Sequence, residues 1–215
     1  MDNFSPYQEP AGNICIRFEA ETMVLQELWF YNNRNNYTPR VEHTQAFNIF
    51  GNVNVKLNAS GMIYDFAWVS ENGAPLRFCG TADQNVTLPP GLAGLTWTVE
   101  KPKGTLDLQN VAGSLIGSAA FGRHAEKLIV CGPSIVTINS DLVFGEIQNF
   151  GQIIIPEGIV LRTEKIIAET GSSMTGAGTL DYKAPKGYYV DKNDPPSIHV
   201  KTVQHGVYRP FIKAK

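Results

Sequence analysis

A chain of 215 residues, 43% hydrophobic and 18% charged, is sized for one large domain or two small ones and can bury a substantial core. Its formal net charge of -2 leaves no electrostatic footprint for nucleic acid and no polybasic patch for a membrane surface. Twenty glycines and 13 prolines, set among frequent Val, Ile and Thr, favour a turn-rich β protein.

Residues 1–13, "MDNFSPYQEPAGN", are polar and carry prolines at 6 and 10, so they read as an extended arm. They offer neither the basic n-region nor the apolar h-region of a secretory signal, and no stretch approaches the roughly 18 apolar residues of a membrane span. The expectation is a protein made and folded in a cytoplasm. Sequons at Asn36, Asn58 and Asn85 then read as chance. Cys15, Cys79 and Cys131 are far apart and odd in number, with no His at ligand spacing. They read as buried thiols rather than as a disulfide or metal framework.

In "ETMVLQELWF" Val24, Leu25, Leu28 and Trp29 could share a helix face, but the aromatic ending favours a strand. "NNRNNYTPR" is an Asn-rich loop. From residue 46 the pattern is plainly β: Val53, Val55 and Leu57 alternate with Asn52, Asn54 and Lys56. Asn72-Gly73 between two apolar runs predicts a hairpin turn. Residues 14–80 therefore read as a β-rich N-terminal domain.

From about residue 81 short strands alternate with corners rich in Pro and Gly, as in "IVCGPSIVTI" and "IIIPEGIVLR". Two windows superimpose at an offset of 24: Ile129 to Cys131 fall on Ile153 to Ile155, Ile135 and Val136 on Ile159 and Val160, and Leu142 to Phe144 on Ile166 to Ala168. Such a period is the mark of a solenoid, in which no unit closes a core alone and stacked units set like residues above like. On this register Ile154, Ile159 and Ile166 point inward. Three or so layers would rise about 14 Å.

The segment "NFGQIIIPEGIVLRTEKIIAETGSSMTGAGTL" resembles the coils of right-handed parallel β-helix proteins of the phage tailspike, fibre and pectate-lyase-like type. The resemblance covers about residues 85–182 and implies an all-β chain. Its parts would be a β-rich N-terminal domain, a short parallel β-helix over 81–182 with a repeat of about 24 residues per coil, and a cap or arm over 183–215. The resemblance also implies a non-enzymatic virion component, a fibre, spike or capsid decoration protein that forms a homotrimer. Such a protein is anchored to a capsid or tail protein by its N-terminal part and presents a projection for attachment to a host surface, polysaccharide included. The alternative is a polysaccharide-degrading hydrolase or lyase of the same fold.

Nucleophile, phosphate-loop, zincin and dinucleotide signatures are missing from the sequence, and "TGAGTL" at 175–180 reads as a turn. His43, His124, His199 and His205 are isolated from one another and read as structural or surface residues. Paired carboxylates are what glycoside cleavage needs, and the acids of the repeat region are Glu146, Glu157, Glu164, Glu169 and Asp181. In the 24-residue register none stacks on another, so they read as solvated surface charge. Trp68 and Trp97 could stack on sugars but read as core or interface residues. No catalytic, cofactor-binding or metal-binding residue is assigned, and no cofactor is expected.

Overall fold

The computed structural model describes residues 14–31, 39–56, 67–88, 95–110, 124–169, 171–183, 189–190, 197–205 and 211–212. The arm at 1–13, residues 32–38 of the Asn-rich loop and the sequons at Asn36 and Asn58 lie outside them, while the loop's last two residues, Pro39 and Arg40, open a strand. The described chain is all-β. Its first layer is β1 (Ile14–Phe18), β2 (Thr22–Val24) and β3 (Glu27–Tyr31), so "ETMVLQELWF" forms strands. The next layers are β4 (Pro39–His43), β5 (Phe47–Ile49) and β6 (Asn52–Lys56), then β7 (Ala67–Ser70), β8 (Leu76–Cys79) and β9 (Gln84–Leu88). There follow β10 (Thr96–Glu100) with β11 (Thr105–Asn110), β12 (Ala125–Val130) with β13 (Ile135–Ile138), and β14 (Leu142–Asn149) with β15 (Gln152–Ile154). The series ends with β16 (Val160–Ala168), β17 (Ser173–Lys183), β18 (Tyr189–Val190), β19 (Ser197–His205) and β20 (Phe211–Ile212).

Every ladder among these strands is parallel, so the chain winds on in one direction and does not fold back. β1, β4 and β7 form one stack. A second runs β2-β5-β8-β10-β12-β14-β16 and a third β3-β6-β9-β11-β13-β15-β17. The 11-residue β17 joins these two, pairing through positions 173–175 with β15 and through 179–182 with β16. The seven strands of the second stack rise about 29 Å at 4.8 Å per step, twice the height expected from the sequence. The ladders also run without a break across residues 80–81, since β8 pairs both β5 and β10. Beyond residue 182, β19 adds one more rung on β17.

The registers correct the 24-residue offset. On the second stack Glu146 pairs with Lys165, a separation of 19 residues. Leu128, Ile147 and Ile166 stack at that same interval, as do Leu142, Leu161 and Leu180. On the third stack Ile153 lies between Val136 and Met174, at a shorter interval below and a longer one above. Ile153, Ile155 and Ile166 are therefore the inward residues; Ile154 and Ile159 are only half-buried. Corner length is free to vary while the strands stay in step, and the interval varies with it.

The expected hairpin at Asn72-Gly73 is also corrected. β7 pairs with β4, whereas β8 pairs with β5 and β10. Asn72 (φ 57°) and Gly73 (φ 70°) adopt the left-handed conformation that favours these residues. Here they turn the chain from the first stack into the second, not back on itself.

Inward side chains run in rows up the stack. Phe47, Leu76, Trp97, Leu128, Ile147 and Ile166 form one, all at most 1% exposed. In the lower half the filling is aromatic: Phe47 meets Phe18 and Trp68 edge-on at 5.1 and 5.3 Å, and Trp97 lies between Phe78 and Phe144 at 6.0 and 5.4 Å.

Candidate functional site

The polar groups fall on an inner seam, on two buried histidines and on the outer faces of the three stacks, the first of which carries Arg17 between Glu42 and Glu71. The seam follows the corner between the second and third stacks, where the backbone turns. Gln84, Lys101, Ser134, Asn149 and Ser172 are all at most 1% exposed there. Gln84 Nε2 donates to the carbonyls of Ile49 and Gly51 at 3.1 and 2.9 Å, and its Oε1 accepts from Lys101 Nζ at 2.8 Å. The same ammonium donates to Ala82 O at 2.6 Å and Gly80 O at 3.5 Å. Higher up, the Lys101 N–H donates to Ser134 Oγ at 2.8 Å, and Asn149 Nδ2 donates to Ser173 O at 3.0 Å. The three donors of a buried ammonium thus meet three oxygens. Burial lowers the Lys101 pKa, opposed by Asp83 and Cys79. This seam caps carbonyls inside the fold.

Two histidines lie inside as well. Trp68 Nε1 donates to His43 Nδ1 at 3.0 Å, so His43 Nε2 carries the proton and donates to Ala74 O at 3.0 Å. The Val143 N–H donates to His124 Nδ1 at 3.0 Å, leaving His124 Nε2–H to donate to Asn110 Oδ1 at 3.2 Å. Both rings are locked in the neutral form by their partners. Burial pushes the His124 pKa down to about 4. An unfolded histidine titrates near 6.5. The folded group binds its proton less readily, so stability is complete above about pH 6.5 and is lost as pH falls from there to about 4. The loss attributable to His124 is on the order of 3 kcal/mol. Denaturant melts of the wild type and His124→Gln across this range should show a flatter pH dependence in the variant; identical slopes would contradict the assignment.

The candidate carboxylates are engaged in ion pairs or dispersed. Glu146 sits between Lys165 Nζ at 2.8 Å and Lys127 Nζ at 3.3 Å, as the registers Lys127–Glu146–Lys165 require. Burial acts to raise its pKa, but Lys165, Gln148 and Lys127 outweigh that and hold it below the ordinary value. Arg162 bridges Asp141 and Asp181 at 3.2 and 3.7 Å. Glu164 pairs with Lys183 at 3.4 Å, Glu157 is exposed at a corner, and Glu169 accepts from Ser172 only through its carbonyl. Such pairs tie successive layers together. Among the described residues no group of three or more His, Cys, Asp or Glu is arranged to hold a metal ion.

Trp68 and Trp97 are both 1% exposed and face the core. Cys79 and Cys131 are free but only half-buried, which corrects the buried-thiol reading. Their register brackets Glu100 on the outside of the second stack. Burial first, and Glu100 second, raise both thiol pKa values. The Cys15 side chain lies outside the described positions. His199 and Asn85 are exposed, and the His205 side chain is not among those described.

The outer faces differ in chemistry. The second stack carries the charge ladder together with half-buried Ile129 and Ile167 and exposed Phe150. The third carries an unbroken row up the stack: Glu27, Asn52, Asn85, Asp107, Thr137, Ile154, Thr175 and His199. All of these but Ile154 carry hydrogen-bonding side chains, set at the strand spacing of about 4.8 Å. Sequence reasoning missed this row because its members are far apart in the chain, at unequal intervals, and only the register aligns them. No helix among the described residues is long and apolar enough to cross a membrane.

No protein-family description, no curated protein and no solved structure matches the chain.

Proposed function

We propose that the chain is a non-enzymatic structural component of a virion, a phage fibre, spike or capsid decoration protein built as a parallel β-helix. Residues 1–80 anchor it to a capsid or tail protein and the later layers project outward to meet the host surface. The observation that carries this reading is the uninterrupted parallel stack, which makes a stiff rod whose length depends on layer count, not on the width of a core. The largely polar row of the third stack supports the attachment role, since its amides, hydroxyls and carboxylates suit the hydroxyl groups of a surface polysaccharide.

The chain assembles as a homotrimer, with copies side by side. Ile129, Phe150 and Ile167 on the outside of the second stack support this, Phe150 being 40% exposed. Light scattering at high dilution should give about three times the chain mass; 23.6 kDa would contradict the trimer.

Particles carrying the protein with a gold-binding tag at either terminus test the polarity. The C-terminal tag should lie farther from the particle surface than the N-terminal one. The reverse order would invert the assignment, and particles that never incorporate the protein would end the virion reading. Asn85→Lys with Thr137→Lys should abolish adsorption to host cells without changing incorporation.

A further inference from the structure

His43 is fully buried where the first stack meets the second in the lower layers. It ends β4, with Phe18 below it and Ser70 above, and residues 44–46 carry the chain on into β5. Its Nδ1 accepts from Trp68 Nε1 of β7, and its Nε2 donates to the Ala74 carbonyl, to which Ser70 Oγ also donates at 2.5 Å. Ala74 lies in the corner that leads into β8. The ring is 5.9 Å from Phe47 and 6.3 Å from Trp68, and those two meet edge-on. One imidazole thus ties β4 and β7 of the first stack to β5 and the entrance of β8 in the second. Only the neutral ring can do this. An indole N–H donates and has no lone pair to accept with, so a second proton on His43 sets donor against donor at Nδ1 and leaves a charge among aromatic rings.

We propose that His43 is an acid-operated clasp: a proton taken up from water at Nδ1 breaks the Trp68 bond and frees the first stack from the second in the lower layers, baring Phe47 and Trp68, while the upper layers stay wound. Among the described side chains, the charged groups on the elements packed around the ring are Arg17 and Glu19 of β1 and its corner, Glu21 before β2, Glu42 of β4, Glu71 after β7, and Arg77 of β8. They are engaged with other partners. Arg17 bonds Glu42 at 3.2 Å and Glu71 at 2.8 Å and lies 3.3 Å from Glu19, Glu21 bonds Asn48 at 2.7 Å, and Arg77 pairs with Glu100 at 3.7 Å. Burial lowers the His43 pKa, with the Ala74 bond opposing it. The closed form therefore holds in full above about pH 6.5 and loosens as pH falls below that, because the open form binds the extra proton more readily. His124 has partners of its own, Val143 and Asn110, and acts on the upper layers. The inference does not rest on the virion reading.

Hydrogen exchange of the full chain, read on peptides and divided by the rate of an unstructured peptide at the same pH, tests this between about pH 6.5 and pH 5. For peptides of β4, β5 and β7 the opening constant should rise several-fold as pH falls, towards the tenfold per pH unit that uptake of one proton gives. His43→Gln should abolish that rise, since the amide can accept from Trp68 and donate to Ala74 but does not titrate. His124→Gln should leave it unchanged. If the His43→Gln protein does not fold, the wild type still reports: the indole N–H resonance of Trp68, assigned by its loss in Trp68→Phe, should change with pH in step with the exchange. A rise that survives His43→Gln, no rise in the wild type, or an indole resonance that ignores pH would overturn the proposal. So would lower and upper peptides that open together and are flattened alike by His124→Gln, because the opening would then be global and not a clasp.

Discussion

Replacing Ile147 by Asp is expected to leave the protein insoluble. Ile147 is fully buried between Leu128 below and Ile166 above. The substitution removes a packed side chain and sets a carboxylate in an apolar row that offers no partner, a combined cost of about 5 kcal/mol or more. That matches the whole stability of many domains. Ile147→Val should cost only about 1 kcal/mol. Ile154→Asp, on the outward row of the third stack, should be tolerated within about 1 kcal/mol. Soluble yield and thermal melts of the three variants check the set. A soluble, normally melting Ile147→Asp protein would mean that the row does not face inward.

Gly176→Ala is expected to be the most damaging single-methyl change in the upper layers. Gly176 has φ 116°, a conformation that L side chains rarely adopt, and a Cβ there would lie 2.1 Å from the Ile155 carbonyl oxygen. Strain and collision add, so the loss should be about 3 kcal/mol or more. In a chain of this size that lowers Tm by roughly 6–12 °C. Gly158→Ala separates the two causes, because Gly158 has φ 80° but nothing within 4 Å of the position a methyl group would take. Its cost should be about 1–2 kcal/mol, that of a left-handed residue alone. Equal melting of the two variants would show that the close approach at Ile155 is not made.

Particular residues show how much of this is legible in the sequence. "IIIPEGIVLR" and "IVCGPSIVTI" state their short strands and corners openly, and all-β stacking follows from them. The interval does not, because the chain is in register by space and not by count. Among the corners from the second stack to the third, those at 131–134 and 169–172 hold four residues and the one at 150–151 holds two, and each is tolerated. The lower layers are harder still. Their core rows are filled by Phe47, Trp68, Phe78 and Trp97, so the Ile-on-Ile grammar of the upper layers is missing. Asn72-Gly73 misleads for a physical reason: the left-handed conformation that closes a hairpin serves equally well at a corner between parallel stacks. The polar seam leaves no trace that can be read ahead of the fold. Gln84, Lys101, Ser134 and Asn149 look like surface residues one by one, and only the turn of the backbone explains their burial. Nor can alternation alone reveal that Met23, Leu25 and Trp29 are left exposed at the end of a stack.

Parallel layers in the observed register underlie each of these expectations, and one cross-link tests them most directly. Gln148 and Ile167 are neighbours on β14 and β16, both half-buried. Adjacent strands lie about 4.8 Å apart, within the Cα separation that a disulfide spans. With the three native cysteines replaced by serine, Gln148→Cys with Ile167→Cys should close an intramolecular disulfide on mild oxidation. Gln148→Cys with Ser172→Cys, the pair that the offset of the two apolar windows would align instead, should not. Closure of the second pair in preference to the first would contradict the stacking described here.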